Sequence, residues 1–291
     1  MLTGQVTVVV ATRNRCSGLC RTLGYLAALP ERPPIVVVDN GSDDGTPDAV
    51  RRAFPQVELI TLPRNEGAHA RNHGVRRART PYVALSDDDS WWEPGALARA
   101  VTVLDTHPEL GVVAGATLVG AEDAPDPLNA VLAASPLPRG ALPGPRVLGF
   151  LGCAAVVRRD AYLAAGGYSR LLHIGGEEEL LAYDLAALGW PISYRPDVVV
   201  HHWPSAVRDA RRRRIQELRN HVLISWLRRP VAHALTETGR LATAARRDRD
   251  PVTARALAET LIRLPRVLAH RQPLPAPVEA DIQLLELSYA S

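Results

Sequence analysis

The feature that most constrains the fold is a regular alternation of short β-branched runs and helical segments over residues 6–86. The apolar runs occupy residues 6–10, 35–38, 57–61 and 82–85, and stretches with helical periodicity separate them. Runs this apolar are typical of strands that are covered on both faces. Strands and helices that alternate at this spacing predict right-handed crossovers, so the fold class is predicted to be α/β, with helices flanking a mostly parallel sheet.

Polar residues follow the end of every predicted strand in this region. Sheets of this kind bind ligands at the carboxyl ends of their strands, where the loops after several strands meet. The four strand ends carry Thr12-Arg13-Asn14, Asp39-Asn40-Gly41, Arg64-Asn65 and Asp87-Asp88-Asp89. The sequence therefore predicts a polar, partly acidic ligand site at this edge of the sheet.

The triplet Asp87, Asp88 and Asp89 is the most specific of these strand ends. Three adjacent carboxylates repel one another unless a cation neutralises them. Carboxylate oxygens suit Mg²⁺ or Mn²⁺, which bind through one or two carboxylates together with substrate phosphates. A solvated acidic turn that caps the next helix explains the triplet equally well when it is considered alone. Its position beside a second acidic strand end favours the metal site.

Asp39 ends the second predicted strand and precedes a turn that contains Gly41. A carboxylate at this position can accept an N–H group of a nucleobase, and glycine lets the backbone come close to a ligand. An Asx turn that leads into the next helix is the alternative, and for Asp39 in isolation it is the better explanation.

The second half of the chain has a less regular pattern. Residues 121–146 are rich in Pro, Ala and Gly without a clear period, which predicts an ordered loop or a mobile flap. Two short strands are predicted at residues 192–194 and 198–201. Beyond residue 206 the chain is predicted to be mostly helical, with breaks at Pro230, Pro251 and Pro265.

The chain contains arginine but no lysine, and arginine outnumbers the acidic residues after residue 205. A helix is predicted from Arg208 to about Leu227, with an apolar stripe formed by Ile215, Leu218, Val222 and Trp226. Packing of this stripe on the rest of the protein, peripheral docking to anionic lipid and a homodimer contact are three interpretations of the pattern. Nucleic-acid binding is not expected, because no aromatic residues interleave with the charge.

The chain is expected to be cytoplasmic, with peripheral contact at the inner membrane face as an option for the arginine-rich helix. The three cysteines form no disulfide framework. The first residues lack the features of a signal peptide, and no apolar run reaches the roughly 18 residues that a spanning helix needs.

Four stretches occur in a specific order and spacing: VTVVVATRNR, IVVVDNGSDDGT, RNEGAHARNHG and YVALSDDDSWWEPGAL. Together they resemble the nucleotide-sugar half of family-2 glycosyltransferases, which have the GT-A (Rossmann-like) fold, and the resemblance covers roughly residues 5–203. It implies three parts: residues 1–120 bind the nucleotide sugar, 121–206 bind the acceptor and supply the catalytic base, and 207–291 form a helical extension.

The same resemblance assigns expected roles to the strand ends. It implies that Thr12 and Arg13 line the nucleotide pocket, that Asp39 holds the base, and that Arg64 and Arg71 lie near the base or the diphosphate. Asp87 and Asp89 would be the outer members of a DxD motif. In this motif Asp89 would be the metal ligand, and Asp87 would lie nearer the ribose and the metal. Asp88 would lie between them in the same cofactor-binding loop.

The segment Gly175 to Glu179, followed by Gly189-Trp190, resembles the family's acidic pair at the start of a helix. The resemblance implies that Glu178 is the general base and that Glu177 is its catalytic neighbour. Because Glu179 is also a glutamate, the position of the base remains open by one residue. A base is needed because an acceptor hydroxyl must lose its proton as it attacks the anomeric carbon. Acids that stabilise a helix N-terminus are the structural alternative.

His202 occupies the position of the family's terminal histidine, after His201. The resemblance implies a metal ligand or a diphosphate contact at this position, and a structural histidine remains the alternative.

The predicted function is therefore metal-assisted, inverting transfer of a glycosyl group from a nucleoside-diphosphate sugar to a hydroxyl acceptor. A UDP-sugar is preferred, because Asp39 suits the N3–H of uracil, and a guanine nucleotide with its N1–H is the alternative. The acceptor is either a cell-envelope saccharide or a natural product. The rival functions are a sugar-phosphate nucleotidyltransferase and an inactive nucleotide-sugar binding protein. The first rival would require a Gly-rich loop with Arg and Lys after the first strand, where this chain has Ala11-Thr12-Arg13-Asn14-Arg15.

Overall fold

The computed structural model describes residues 4–204, 210–248 and 250–290. Within these ranges ten strands form one sheet: β1 (Val6–Thr12), β2 (Ile35–Asp39), β3 (Glu58–Thr61), β4 (Tyr82–Asp87), β5 (Ser90–Trp92), β6 (Val112–Val119), β7 (Ala124–Pro125), β8 (Arg146–Val147), β9 (Ala155–Arg158) and β10 (Ile192–His202).

The described helices are α1 (Cys16–Ala27), α2 (Thr46–Ala53), α3 (Arg71–Arg77), α4 (Ala96–Thr106), α5 (Pro127–Ala133), α6 (Arg159–Ala164), α7 (Glu177–Ala187), α8 (Ala210–Arg228), α9 (Val231–Asp248), α10 (Pro251–Ala269) and α11 (Ala276–Ala290). A short 3-10 helix, Gly67–Ala70, leads directly into α3.

The main path of the sheet has the order β3-β2-β1-β4-β9-β6-β10-β5. Strands β3, β2, β1 and β4 run parallel, as do β6 and β10. Strand β9 is antiparallel to both of its neighbours, and β5 is antiparallel to β10. The predicted α/β class is confirmed, with a parallel first half and a mixed second half.

Alternate residues of β1 supply the two faces of the core. Val8 and Val10 pack with α1, α2 and α4 on one face of the sheet, whereas Val9 packs with α3, α6 and α7 on the other. All three side chains are fully buried. A strand covered by helices on both sides requires a continuous apolar run, which explains the composition of residues 6–10.

Two predictions about the second half of the chain are wrong. Residues 121–146 are not a simple loop, because they contain β7, α5 and β8. Asp126 caps α5 by accepting a hydrogen bond from the backbone N–H of Leu128 at 2.8 Å, and Pro127 begins the helix. The two short strands predicted near residue 196 form the single strand β10, which crosses an irregularity between Arg195 and Val199.

The helical C-terminal region is confirmed, but its packing differs from the expectation. Pro230 and Pro251 lie between or at the start of helices as predicted, whereas Pro265 lies inside α10. The apolar stripe of α8 packs against α9 and α10. The opposite side of α8, with Leu223, Ile224 and Leu227, packs against α7 and α11. Arg208, where this helix was predicted to begin, lies outside the described residues.

Within the described ranges, every helix is either too short or too polar to traverse a lipid bilayer. Cys16, Cys20 and Cys153 are all free thiols, in agreement with the prediction that the chain has no disulfide framework.

Candidate active site

A cleft of about 830 Å³ opens at the carboxyl ends of β1, β4, β6 and β10. The loop before β9, the start of α7 and the first part of α8 complete its walls. Nine of the residues selected from the sequence line it: Thr12, Arg13, Arg71, Asp87, Asp88, Asp89, Glu177, Glu178 and His202. Its size is within the range of about 300–1,000 Å³ that is typical of small-molecule sites.

Asp87, Asp89 and His202 form a group of potential metal ligands inside this cleft. One ligand atom from each lies within 4.8 Å of the others. Nε2 of His202 is 3.2 Å from Oδ1 of Asp89, and Nη1 of Arg15 is 3.6 Å from Oδ2 of the same carboxylate. Two carboxylates and one imidazole form a donor set that fits Mn²⁺ or Mg²⁺, and the nitrogen ligand favours Mn²⁺.

Asp88 faces a different set of partners from its two neighbours. Oγ1 of Thr12 donates to its carboxylate at 2.8 Å, and Oγ1 of Thr22 donates to its backbone carbonyl at 2.9 Å. Burial raises the pKa of Asp88 to about 6. The hydrogen bond from Thr12 opposes this rise, and the charges of Asp87 and Asp89 add to it. Asp88 therefore links the acidic turn to β1 and α1.

Asp39 and Arg64 do not line the cleft, in contrast to the other selected residues. Asp39 is only 2% exposed, and its Oδ2 accepts a hydrogen bond from the backbone N–H of Ser42 at 3.2 Å, as in the predicted Asx turn. Its Oδ1 has no hydrogen-bond partner among the described residues. Arg64 is exposed, and its backbone passes within 2.9 Å of the position that a Cβ on Gly41 would occupy.

Asn40 is a site residue that the sequence analysis passed over, although it lies in the quoted motif beside Asp39. It lines the cleft, and its Oδ1 accepts from the backbone N–H of Glu66 at 2.7 Å. Its Nδ2 donates to Asn65 Oδ1 at 3.1 Å and to the Gly67 carbonyl at 3.0 Å. Asn40 therefore holds the loop after β3 against the end of β2.

Arg71 lies at the centre of the charges in the cleft. It pairs with Asp87, and its guanidinium lies 5.9 Å from the ring centroid of Tyr168. Burial alone would lower the pKa of Arg71, but Asp87 and the more distant Glu178 and Glu177 outweigh burial and raise it. Arg71 is therefore a permanent cation between the acidic turn after β4 and the acidic start of α7.

The three glutamates at the start of α7 have different environments. Glu177 and Glu178 line the cleft, whereas Glu179 does not. Oε1 of Glu179 accepts from the Tyr183 hydroxyl at 2.9 Å. Burial and then the charge of Glu177 raise the pKa of Glu178 to about 8, so its carboxyl is a strong proton acceptor once ionised.

The absence of a side chain at Gly152 leaves the space that the carboxylate of Glu178 occupies. A Cβ at position 152 would lie 2.5 Å from Oε1 of Glu178 and 3.1 Å from the Tyr168 hydroxyl. A side chain larger than hydrogen would therefore displace this carboxylate.

Helix α8 supports the loop that leads into α7, a contribution that the sequence analysis missed. Nη2 of the buried Arg219 donates to the Leu172 carbonyl at 2.8 Å. Nδ2 of Asn220 donates to the carbonyls of Leu172 and Ile174 at 3.1 Å and 2.9 Å. No sequence signal marked this pair, because Arg219 and Asn220 lie within the polar stretch QELRNH and only the structure shows that both are buried with partners.

Trp91 and Trp92 are core residues that hold the acidic turn. Trp92 is fully buried, and its Nε1 donates to Ser86 Oγ at 2.9 Å. Trp91 stacks between Tyr25 and His201, with ring centroids 4.2 Å and 5.7 Å away.

Glu66, His69 and His73 form a second group whose ligand atoms lie close together. Glu66 Oε2 is 3.0 Å from His73 Nε2 and 3.5 Å from the guanidinium of Arg170. Nδ1 of His69 hydrogen-bonds with the Tyr168 carbonyl at 2.9 Å. Because a guanidinium already neutralises Glu66, this group is a hydrogen-bond network beneath the cleft.

Comparisons with known proteins identify the family of this chain. A family model described as glycosyl transferase family 2 matches residues 7–164. The chain is 28% identical over 238 residues to the N-acetylglucosaminyl-diphospho-decaprenol L-rhamnosyltransferase of Mycobacterium tuberculosis, which covers 69% of this chain and 77% of that protein. It is 38% identical over 103 residues to the succinoglycan biosynthesis protein ExoO of Rhizobium meliloti, covering 34% of this chain and 30% of that protein.

Solved structures with the same fold are also found. One is the mannosyltransferase PcManGT of Pyrobaculum calidifontis in complex with GDP-Man and Mn²⁺. The match covers 99% of this chain and 87% of the PcManGT chain, with a TM-score of 0.59 and 24% sequence identity. GalNAc-T7 with UDP, GalNAc and Mn²⁺ matches 77% of this chain and 48% of its own, with a TM-score of 0.58 and 17% identity. These similarities show the GT-A fold.

Proposed function

The chain belongs to glycosyl transferase family 2 and transfers a glycosyl group from a nucleotide sugar, and we propose that it does so with inversion and with a divalent cation. The donor of this proposal is a nucleoside-diphosphate sugar, and the acceptor is a saccharide hydroxyl. Family membership leaves no support for the nucleotidyltransferase alternative.

The observation that carries the proposal is the composition of the cleft. A metal-type donor set of Asp87, Asp89 and His202 lines the same cleft as Glu178, a carboxyl whose pKa is raised to about 8 by burial and by Glu177. A cation site for the diphosphate and a basic carboxylate for the acceptor are the two elements that an inverting displacement requires.

In this mechanism Asp87, Asp89 and His202 would hold the cation, which supplies Lewis-acid stabilisation of the leaving diphosphate. Glu178 accepts the proton of the acceptor hydroxyl as its oxygen forms a bond to the anomeric carbon. The bond from that carbon to the diphosphate oxygen breaks on the opposite face, so the configuration inverts. Arg71 remains charged throughout and orients Asp87.

Asp39 supports a base with a ring N–H, which uracil and guanine both have, and uracil is the base that we favour. Its Oδ1 lacks a hydrogen-bond partner among the described residues, although the side chain is buried beside Asn40, which lines the cleft. A buried carboxylate oxygen without a donor loses free energy, and an imide N–H supplies that donor. Arg64, which is exposed, is assigned a contact at the outer edge of the nucleotide.

The experiment that tests the proposal measures the release of nucleoside diphosphate from UDP-sugars in the presence of Mn²⁺, with and without EDTA. We expect release that EDTA abolishes, and a product of inverted anomeric configuration by nuclear magnetic resonance. Release of pyrophosphate, or a rate that EDTA leaves unchanged, would contradict the proposal. Binding of UDP without any turnover would support an inactive nucleotide-sugar binding protein instead.

A further inference from the structure

A second cavity, of about 450 Å³, lies between α8 and α10 beside the candidate active site. We call it the arginine pocket, because arginine dominates its lining: His173, Arg211, Arg212, Ile215, Gln216, Arg219, Arg255, Glu259 and Arg263. Nothing in the proposed chemistry of the cleft uses this cavity.

The charges around the arginine pocket are not balanced. Among the described residues that line it there are five guanidinium groups and a single carboxylate, that of Glu259. Glu259 lies 2.8 Å from Arg219, 2.9 Å from Arg255 and 3.3 Å from Arg263. Arg219 directs its other N–H groups to Asn220 and the Leu172 carbonyl, whereas Arg255 and Arg263 contact only Glu259 among the described residues and keep N–H donors for another anion.

The pocket adjoins the catalytic cleft. Three residues line both cavities, namely His173, Arg212 and Gln216. The carbonyl of His173 accepts from the backbone N–H of Ala68 at 2.7 Å, and the chain runs from His173 directly to Glu177 and Glu178. A group bound in the pocket would therefore lie on the acceptor side of the cleft, next to the proposed base.

The positive field of the pocket reaches His173. Burial, followed by the charges of Arg212, Arg219 and Arg263, lowers the pKa of this histidine. His173 is therefore neutral near pH 7 and does not compete with the arginines for an anion.

Guanidinium groups match the bidentate geometry of both phosphate and carboxylate oxygens, and a pocket lined by five of them favours the anion of higher charge, a phosphate or diphosphate. Arginine binds phosphate with two parallel hydrogen bonds, and several arginines together neutralise the charge of a diphosphate. Of the four consecutive arginines at the start of α8, Arg211 and Arg212 line the pocket, whereas Arg213 and Arg214 pair with Glu217. A bound anion lowers the repulsion among the guanidiniums that line the cavity.

We propose that the arginine pocket binds the phosphate or diphosphate group of the acceptor, so that the acceptor of this glycosyltransferase is a phosphorylated saccharide. The inference rests on the proposed function, because it assigns the donor diphosphate to Asp87, Asp89 and His202 and the acceptor to the side of Glu178. It adds a substrate class to that function and a binding role to helices α8 and α10.

The test measures the binding of inorganic pyrophosphate to the full chain by calorimetry in EDTA, where a metal-dependent donor site does not contribute. The variant is the double substitution Arg255→Gln and Arg263→Gln, in which both side chains are partly exposed and the helix is preserved. The matched control is Arg266→Gln, an exposed arginine of the same helix that does not line the pocket.

We expect the double variant to bind pyrophosphate at least about tenfold more weakly, and the control to bind as the unmodified chain does. Equal affinity in all three proteins, or an equal loss in the control, would overturn the proposal. Binding of UDP with Mn²⁺ is measured in parallel, so that failure of the proposed donor site is distinguished from failure of the pocket.

Binding of farnesyl diphosphate in detergent distinguishes a lipid-linked acceptor from a soluble phosphorylated saccharide as the source of the phosphate group. Tighter binding than pyrophosphate, lost in the double variant, indicates a lipid-linked acceptor, whereas equal binding indicates a soluble phosphorylated saccharide. Binding to phosphatidylglycerol vesicles that depends on Arg255 and Arg263, without pyrophosphate binding, would show a membrane surface instead and reject the proposal.

Discussion

Nε2 of His202 lies 3.2 Å from Oδ1 of Asp89, a contact that joins the end of β10 to the turn after β4. The two residues lie far apart in the sequence, and strand pairing brings them together, since His202 is opposite Ser90 in the β10–β5 ladder. A carboxylate oxygen of Asp87 lies within 4.8 Å of a ligand atom of each. The proposed cation site therefore depends on β5 and β10 as much as on the acidic triplet.

Replacement of Asp89 by Ala should abolish metal-dependent donor binding and lower transfer at least about 100-fold, because a metal's Lewis-acid contribution amounts to several kcal/mol. Calorimetry of UDP with Mn²⁺ and assays of donor turnover measure the two effects. Glu93→Gln is the control, as this carboxylate lies four residues further on and outside the cleft. An Asp89→Ala protein with full Mn²⁺-dependent activity would exclude the metal site.

The adjacent histidines provide a matched pair. His202→Asn should raise the Mn²⁺ concentration needed for half-maximal activity by about 10- to 100-fold, the loss that follows removal of a supporting group at a metal site. His201→Asn should leave it unchanged, since His201 pairs with Asp123 at 2.7 Å and stacks on Trp91. Titration of activity with Mn²⁺ measures both. Equal shifts in the two variants would argue that His202 is only structural.

Glu178→Gln should preserve nucleotide affinity and reduce transfer by about 10²- to 10⁴-fold, the usual contribution of a general base. Glu179→Gln should remain close to the unmodified rate, because Glu179 contacts Tyr183 and does not line the cleft. Single-turnover assays with bound donor measure the chemical step. The opposite ranking of the two variants would move the base by one residue.

Transfer should fall as the pH decreases below about 8, because Glu178 acts as a base only when ionised and burial with Glu177 raises its pKa to about 8. Because the pKa of Glu178 is higher in the folded than in the unfolded protein, the free energy of unfolding falls as the pH rises from the ordinary pKa of a carboxyl towards 8. At pH 8.5 the Glu178→Gln protein should therefore melt about 2–4 °C higher. A flat rate profile between pH 6 and 8.5 would contradict this assignment.

Gly152→Ala should reduce transfer by up to about 100-fold while nucleotide binding is retained, because the new Cβ would lie 2.5 Å from Oε1 of Glu178 and displace it. Gly149→Ala is the control, since a Cβ there meets nothing within 4 Å. Comparison of kcat with the dissociation constant of UDP separates the two effects. Normal transfer in Gly152→Ala would show that the position of this carboxylate is not critical.

The sequence was sufficient for the first half of the molecule. The run from Val6 to Val10 predicted a strand buried on both faces, and its alternation with helical segments up to the run at 35–38 predicted a parallel crossover. The carboxyl ends of parallel strands meet at one edge, so the common location of Thr12 and the Asp87 to Asp89 triplet followed from periodicity alone.

The second half depended on contacts that no local pattern records. Asp126 and Pro127 carry the signal of a helix start, yet the surrounding Pro-rich composition obscured α5. Glu178 and Glu179 are chemically identical neighbours, and only the packing of α7 decided which one lines the cleft. The arginine-rich segment predicted a helix, but not a pocket, because α8 and α10 had to be brought side by side.

The sequence by itself determined the α/β sheet, its polar edge and the residue types available for chemistry, since period and composition act over a few residues. Tertiary structure alone decided that His202 lies beside Asp89, that Gly152 confines Glu178, and that five arginines enclose one cavity. These relationships join residues distant along the chain, and their geometry is set by the packing of whole strands and helices.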